Sequence, residues 1–281
     1  MPLVSTADIL SAAMAGEYSV GAFTAVDYLT MEAIVRAAEA RAAPVVVQTC
    51  PQAVKRFGVE VLAEMAGEIA GDSVVPVALH LDHGTDPGVI GDAIRTGYGS
   101  VMVDWAGCGF DAAAARTKSI AAEAHGRGVG VEGIVGLVPD APDEPRGEAV
   151  YATPDRAVRF VEQTGADFLA VAVGTAHGLH KTEPRVRPEV LRSVRELTPV
   201  PLVVHGVSSL GFQTVRALVS AGATKLNVTT RIKQTYLDSL YEYIARHRDE
   251  YDVSGAFRHA RQALMEIVGG YIAILGCAGK A

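Results

Sequence analysis

Cysteine is scarce in this sequence, and Cys50, Cys108 and Cys277 are odd in number, far apart and without a Cys-x-x-Cys pair. That excludes a disulfide framework and a zinc-finger pattern and fits a reducing compartment. No run of about 18 apolar residues occurs, so no membrane-spanning helix is expected. The first residues, Met-Pro-Leu-Val-Ser, lack the basic-then-apolar order of a secretory leader, which makes the cytoplasm the expected location. Positive charge is in deficit too: 25 Lys and Arg against 32 Asp and Glu leave a formal net charge of −7. Neither nucleic acid nor an anionic membrane surface is therefore an expected partner. A G-x-G-x-x-G turn after the first apolar run is also missing, which argues against a dinucleotide-binding doubly wound sheet.

What is present is a rhythm. The chain has 281 residues, 49% of them hydrophobic, enough for one large core and short for two ordinary domains, so a single domain over residues 1–281 is expected. Eight short apolar runs, rich in β-branched residues, recur along it: Tyr18–Ala25, Pro44–Thr49, Val75–Asp82, Ser100–Trp105, Gly128–Val135, Phe168–Gly174, Pro201–Gly206 and Thr224–Thr230. Near-continuous apolar runs imply strands buried on both faces, as in a parallel sheet covered by helices. Helical periodicity fills the intervals, clearest in Met31–Arg41, Val54–Ala70, Asp111–Arg127 and Pro154–Thr164. Thr153-Pro154-Asp155 reads as a helix start and Ser208 precedes another helical pattern, while Gly71, Gly97, Gly165 and Gly222 fall where helices should stop. The fold class predicted is α/β, a (β/α)8 TIM barrel with extra C-terminal helices between Arg231 and Gly276. Leu137–Val150, with three prolines and several acids, is expected to be a long loop over the barrel mouth, of the kind that serves as a lid.

In such a barrel the chemistry gathers at the C-terminal ends of the strands. Polar residues collect there: His80-Leu81-Asp82-His83-Gly84, Gly174-Thr175-Ala176-His177-Gly178, His205-Gly206-Val207-Ser208 and Asn227-Val228-Thr229-Thr230. His83, His177 and His205 at three strand ends suit a Zn²⁺ site that leaves a fourth position open, whereas His80, inside its strand, reads as a core histidine. Asp82 either shuttles a proton or orients an imidazole, and Asp104 and Glu132 lean toward the orienting role. Gly178, Gly206, Ser208 and Thr230 offer donors for a phosphate, although Ser208 would also serve as an ordinary helix cap.

The motifs HLDHG, SVMVD, VEG, TPDRAVRFVEQTGADFLAVAVGTAHG, PLVVHGVSS and KLNVTT resemble, in order and over nearly the whole chain, the class II fructose-bisphosphate and tagatose-bisphosphate aldolases. The resemblance implies a zinc-dependent aldolase with His83, His177 and His205 as metal ligands and Asp82 as acid/base. It places Gly178, Gly206, Ser208, Asn227 and Thr230 around the dihydroxyacetone phosphate end, with a monovalent cation (Na⁺ or K⁺) near the carbonyls of Gly178 and Gly206. A homodimer or homotetramer is implied as well.

The departures from that pattern shape the expectation. Thr24 replaces an Asn, Ile134 replaces a second Glu, Thr229 replaces a small or acidic residue, and Asp143 and Glu144 are what remains of the loop carboxylate that would move the C3 proton. Ser254 stands where the family has an Arg that clamps a distal phosphate, with Arg258 and Arg261 the nearest substitutes. The expected reaction is reversible aldol cleavage of a ketose phosphate, with dihydroxyacetone phosphate as donor and a non-standard aldehyde as acceptor. The alternatives are an ordinary fructose- or tagatose-bisphosphate aldolase, a non-catalytic paralogue and a zinc hydrolase.

Overall fold

The computed structural model describes residues 3–105, 107–138, 151–179 and 184–281. Eight parallel strands close into a barrel in chain order. They are β1 (Val20–Ala25), β2 (Val45–Thr49), β3 (Val77–Gly84), β4 (Ser100–Val103), β5 (Gly130–Val135), β6 (Phe168–Val171), β7 (Leu202–Val204) and β8 (Ala223–Val228). The helices described are α1 (Thr6–Ala15), α2 (Tyr28–Glu39), α3 (Pro51–Phe57), α4 (Val59–Gly71), α5 (Pro87–Arg95), α6 (Phe110–His125), α7 (Pro154–Thr164), α8 (Pro188–Arg195), α9 (Phe212–Ser220), α10 (Thr230–Arg246) and α11 (Val253–Leu275). All eight apolar runs thus became strands, and α10 and α11 are the additional C-terminal helices, packed on each other, with α11 also against α2 and β1.

Strand alternation sorts side chains into two cores. Val77, Leu79 and Leu81 of β3 join the apolar shell between barrel and helices. Ala78 faces inward, onto a smaller cluster with Val20, Ala22, Val46, Phe168, Ala170 and Val203, and α1 closes that floor with Ile9, Leu10 and Ala13. Leu10 is fully buried there, which contributes about 1.5–3 kcal/mol. Above the floor the interior turns polar: Gln48, His80, Ser100, Glu132 and Lys225 are all buried. An apolar plug at one end and a polar layer above it give the barrel its direction, and the mouth lies at the strands' C-terminal ends.

Two local expectations are corrected and a third holds in part. The run Val54–Ala70 is two helices, because Gly58 takes a φ of 81° between α3 and α4 and breaks the ladder. Thr153-Pro154-Asp155 does start a helix, with Thr153 at the cap position of α7 and Asp155 in its first turn, although the Thr153 hydroxyl makes no capping bond. Ser208 caps no helix: it lies in a 3-10 turn, Val207–Ser209, and Gly211 occupies the cap position of α9. Of the loop Leu137–Val150 only Leu137 and Val138 are among the described residues, so Asp143 and Glu144 fall outside them.

Candidate active site

The end of β3 has to present two successive side chains to one place, which a regular strand cannot do. It does so by leaving the regular path: the β3–β4 register shifts between Leu81 and Gly84, and His83 adopts a φ of 51°. A non-glycine residue in the left-handed region is strained, and such strain persists only where surrounding structure enforces it. The result is that Asp82 and His83 both line the same cavity, with His83 Nε2 3.9 Å from Asp82 Oδ1.

His205 follows β7 directly and His177 lies in the segment after β6. With His83 they form a group whose ligand atoms all lie within 4.8 Å of one another. A tetrahedral ion with bonds of roughly 2.0–2.1 Å holds its ligands about 3.3 Å apart, and His83 Nε2 and His205 Nδ1 stand 3.2 Å apart. The far nitrogens are already engaged: His83 Nδ1 with Asp104 Oδ2 at 2.7 Å, and His205 Nε2 with Glu132 Oε1 at 2.8 Å. Each carboxylate accepts an N–H, so that in the neutral ring the opposite nitrogen keeps its lone pair toward the cluster. Two imidazoles held in this way, with His177 as the third within reach, fit a zinc-type ion.

The electrostatics follow from burial and these partners. Burial alone would lower His83, but Asp82 and Asp104 outweigh it and raise its pKa to about 9. Burial works against the Asp82 anion, yet the positive charge of His83, with Lys225 behind it, holds its pKa below the ordinary value. Glu132 is likewise opposed by burial and held down by Lys225, by the hydrogen bond from His205 and by His80.

Asp82 is held from two sides. Asn227 Nδ2 donates to Oδ1 and Gln48 Nε2 to Oδ2, each at 3.2 Å. Gln48 Nε2 also reaches the hydroxyls of Thr24 (2.9 Å) and Thr229 (3.2 Å), which lie 2.8 Å from each other. The acceptors Gln48 Oε1 and Asn227 Oδ1 are buried and without a partner among the described residues, an arrangement suited to hydroxyl groups of a ligand.

Asp82, His83, His177, Thr229 and Thr230 share a cavity of about 690 Å³. Ile134 lines the same cavity, and Thr230 opens α10. Gly178 and Gly206 both have positive φ, 93° and 69°. At Gly206 a Cβ would come within 2.7 Å of the Ala176 carbonyl oxygen, so only glycine lets the two loops approach. Ser208 is buried, and its carbonyl accepts from Arg231 Nη2 at 3.2 Å.

Sequence reasoning passed over several residues here. Gln48 and Lys225 sat inside apolar strand runs; the signal was a polar side chain on the inward face, in step with His80 and Asn227. Arg156 and Lys233 also line the cavity, on helices whose facing direction the sequence did not reveal. Arg258 and Arg261 do not line it: they line a second cavity with Ser254 and Tyr236, and Arg261 reaches Glu32 at 3.3 Å. His80 is the buried core histidine expected, and His125 and His259 lie in α6 and α11.

Residues 4–280 match the family described as fructose-bisphosphate aldolase class-II. Among solved structures, the YdjI aldolase of Escherichia coli K12 is similar at 29% identity and a TM-score of 0.88, with 99% of each chain covered. The fructose-bisphosphate aldolase (Fba) of Campylobacter jejuni shares the fold at 20% identity and a TM-score of 0.87, covering all of this chain (100%) and 97% of that one.

Proposed function

The chain belongs to the class II fructose-bisphosphate aldolase family, and is an aldolase, a carbon–carbon lyase; from that premise we propose that it cleaves and forms a ketose phosphate from dihydroxyacetone phosphate and a non-standard aldehyde. The observation that carries this reading is the meeting of Asp82, His83 and His177 on one cavity, with the buried His205 completing the histidine cluster. In it the three histidines hold Zn²⁺, with Asp104 and Glu132 orienting His83 and His205. Bound there, Zn²⁺ would supply a Lewis acid for the ketose oxygens, in place of a lysine Schiff base.

The remaining chemistry falls to the chain. Asp82, kept ionised by the positive charge around it, takes the proton of the substrate's C4 hydroxyl as the C3–C4 bond breaks and returns it during condensation. Gln48 and Asn227 hold its two oxygens, so the carboxylate does not rotate away. Their unpartnered carbonyl oxygens then accept from neighbouring substrate hydroxyls. Gly178, Gly206, Ser208, Asn227 and Thr230 receive the phosphorylated end, where main-chain N–H groups and the start of α10 favour an anion. A monovalent cation (Na⁺ or K⁺) near the carbonyls of Gly178 and Gly206 belongs to the same reading, as does proton transfer at C3 by Asp143 or Glu144. The proposed setting is a cytoplasmic homodimer or homotetramer of one domain; exposed Leu237, Tyr241 and Ile244, spaced along one side of α10, support self-association.

The non-standard acceptor rests on Thr24, Ile134 and Thr229 in the site and on Ser254, which stands in the second cavity. An ordinary bisphosphate aldolase is the second reading, favoured by Arg156 and Lys233 on the main cavity as cations for a distal phosphate. The deciding experiment incubates the zinc-loaded enzyme with dihydroxyacetone phosphate and a panel of aldehydes, scoring adducts by mass. Adducts with aldehydes other than glyceraldehyde 3-phosphate are expected, and a product with that aldehyde alone would favour the second reading.

A further inference from the structure

Lys225 and His80 are given no contact with substrate or metal in the chemistry proposed above, yet both are fully buried inside the barrel, where an ammonium group is rarely placed without a strong reason. Lys225 Nζ donates to Glu132 Oε2 at 2.6 Å and to His80 Nε2 at 3.2 Å. Each bond in the chain fixes the direction of the next. Ser100 Oγ donates its single proton to Thr6 Oγ1 at 2.8 Å, so it must accept at 2.7 Å from His80 Nδ1–H. His80 Nε2 therefore carries the lone pair that receives Lys225. Burial and the ammonium beside it lower His80 to about 3, consistent with that neutral tautomer. At the other end, Glu132 Oε1 takes the Nε2–H of His205 at 2.8 Å.

We infer that Lys225 is a positioning residue for the metal site: its ammonium anchors the Glu132 carboxylate and through it sets the tautomer and orientation of His205, while His80, Ser100 and Thr6 brace the lysine against α1. The inference rests on the metal reading above. Its physical basis is that a buried carboxylate without its cation turns toward any other donor or water it can reach. Glu132 would then release the His205 Nε2–H, and the Nδ1 lone pair would no longer be held toward His83 and His177. Partners one step removed from a ligand typically change metal affinity by about 10–100-fold, and Lys225 acts through such a partner.

The test compares wild type, Lys225→Met and the double variant Lys225→Met with Glu132→Gln. Zinc affinity is measured by chelator competition, the His205 tautomer by histidine ¹⁵N NMR on metal-free protein, and folding by circular dichroism. Lys225→Met should bind zinc about 10–100-fold more weakly and lose the single Nε2–H tautomer of His205. The double variant leaves no lone buried charge, so it should regain thermal stability while its zinc affinity stays below wild type, a neutral amide having replaced the carboxylate. Wild-type affinity together with an unchanged His205 tautomer in Lys225→Met would overturn the inference. If that variant does not fold, wild-type affinity in the double variant overturns it. Failure of the wild type to take up zinc would instead sink the metal reading, a separate result because the tautomer is read without metal.

Discussion

At the scale of single residues, Asp82 carries the largest expectation. Its carboxylate is buried, clamped by Gln48 and Asn227 and set beside His83. Asp82→Ala should retain zinc and lower kcat by about 10² to 10⁴-fold, the usual range for a lost general acid/base. Metal analysis and steady-state kinetics check this together, and loss of zinc in that variant would mean that Asp82 only orients His83. The cysteines give a second expectation. Burial raises the Cys277 thiol to about 11, and Cys50 is also buried, whereas Cys108 is partly exposed on the cavity wall. Iodoacetamide at pH 8 should therefore modify Cys108 first and leave Cys277 unmodified in the native protein, since the thiolate is the reactive form. Peptide mapping by mass spectrometry reads the order of labelling.

At the scale of elements, the site depends on how strands end. The shifted register after Leu81 lets β3 deliver both Asp82 and His83, and the turn at Gly206 lets the segment after β7 pass against Ala176. Gly206→Ala would force a side chain to within 2.7 Å of the Ala176 carbonyl oxygen at a φ of 69°. A destabilisation on the order of 1–3 kcal/mol is expected from backbone strain of this kind. His205 and Ala176, the latter next to His177, flank the contact, so zinc affinity should fall together with thermal stability. Calorimetry and chelator competition on the same variant decide it; an unchanged Tm would show that the two loops can separate without cost.

At the scale of the whole molecule, the cavity joins side chains that are more than 140 residues apart in sequence, such as Asp82 and Thr229. An ion held by three such segments ties the barrel together, so chelation should lower stability as well as activity. With free zinc at 100 times its Kd, the loss on removing it is about 2.7 kcal/mol, seen as a lower Tm that zinc restores. The same cavity bears on substrate. With Ser254, Arg258 and Arg261 on a different cavity, fructose 1,6-bisphosphate should be cleaved poorly while dihydroxyacetone phosphate binds normally. A kcat/KM of about 10⁴ M⁻¹s⁻¹ or more for the bisphosphate would show that Arg156 and Lys233 complete a distal clamp.

Much of this was legible in the sequence because it depends on local pattern. Near-continuous apolar runs separated by helical periodicity required a parallel sheet under helices, and the fold follows from eight repeats of that unit. Polar clusters at the strand ends marked His83, His177, His205 and Asp82, since strand ends converge in a barrel whatever the details of packing. Tertiary structure alone decided what depends on inward direction and on register. Alternation turned Gln48 and Lys225 into the polar interior, the bend at His83 put neighbouring side chains on one side, and closure of the barrel brought Glu132 of β5 between Lys225 of β8 and His205 after β7. Apolar strand composition cannot reveal such contacts, because a buried charge is stable only beside a partner supplied by another strand. The fate of the arginines near the C-terminus was equally hidden: a rotation of about half a helical turn separates a side chain on this cavity from one on a different face.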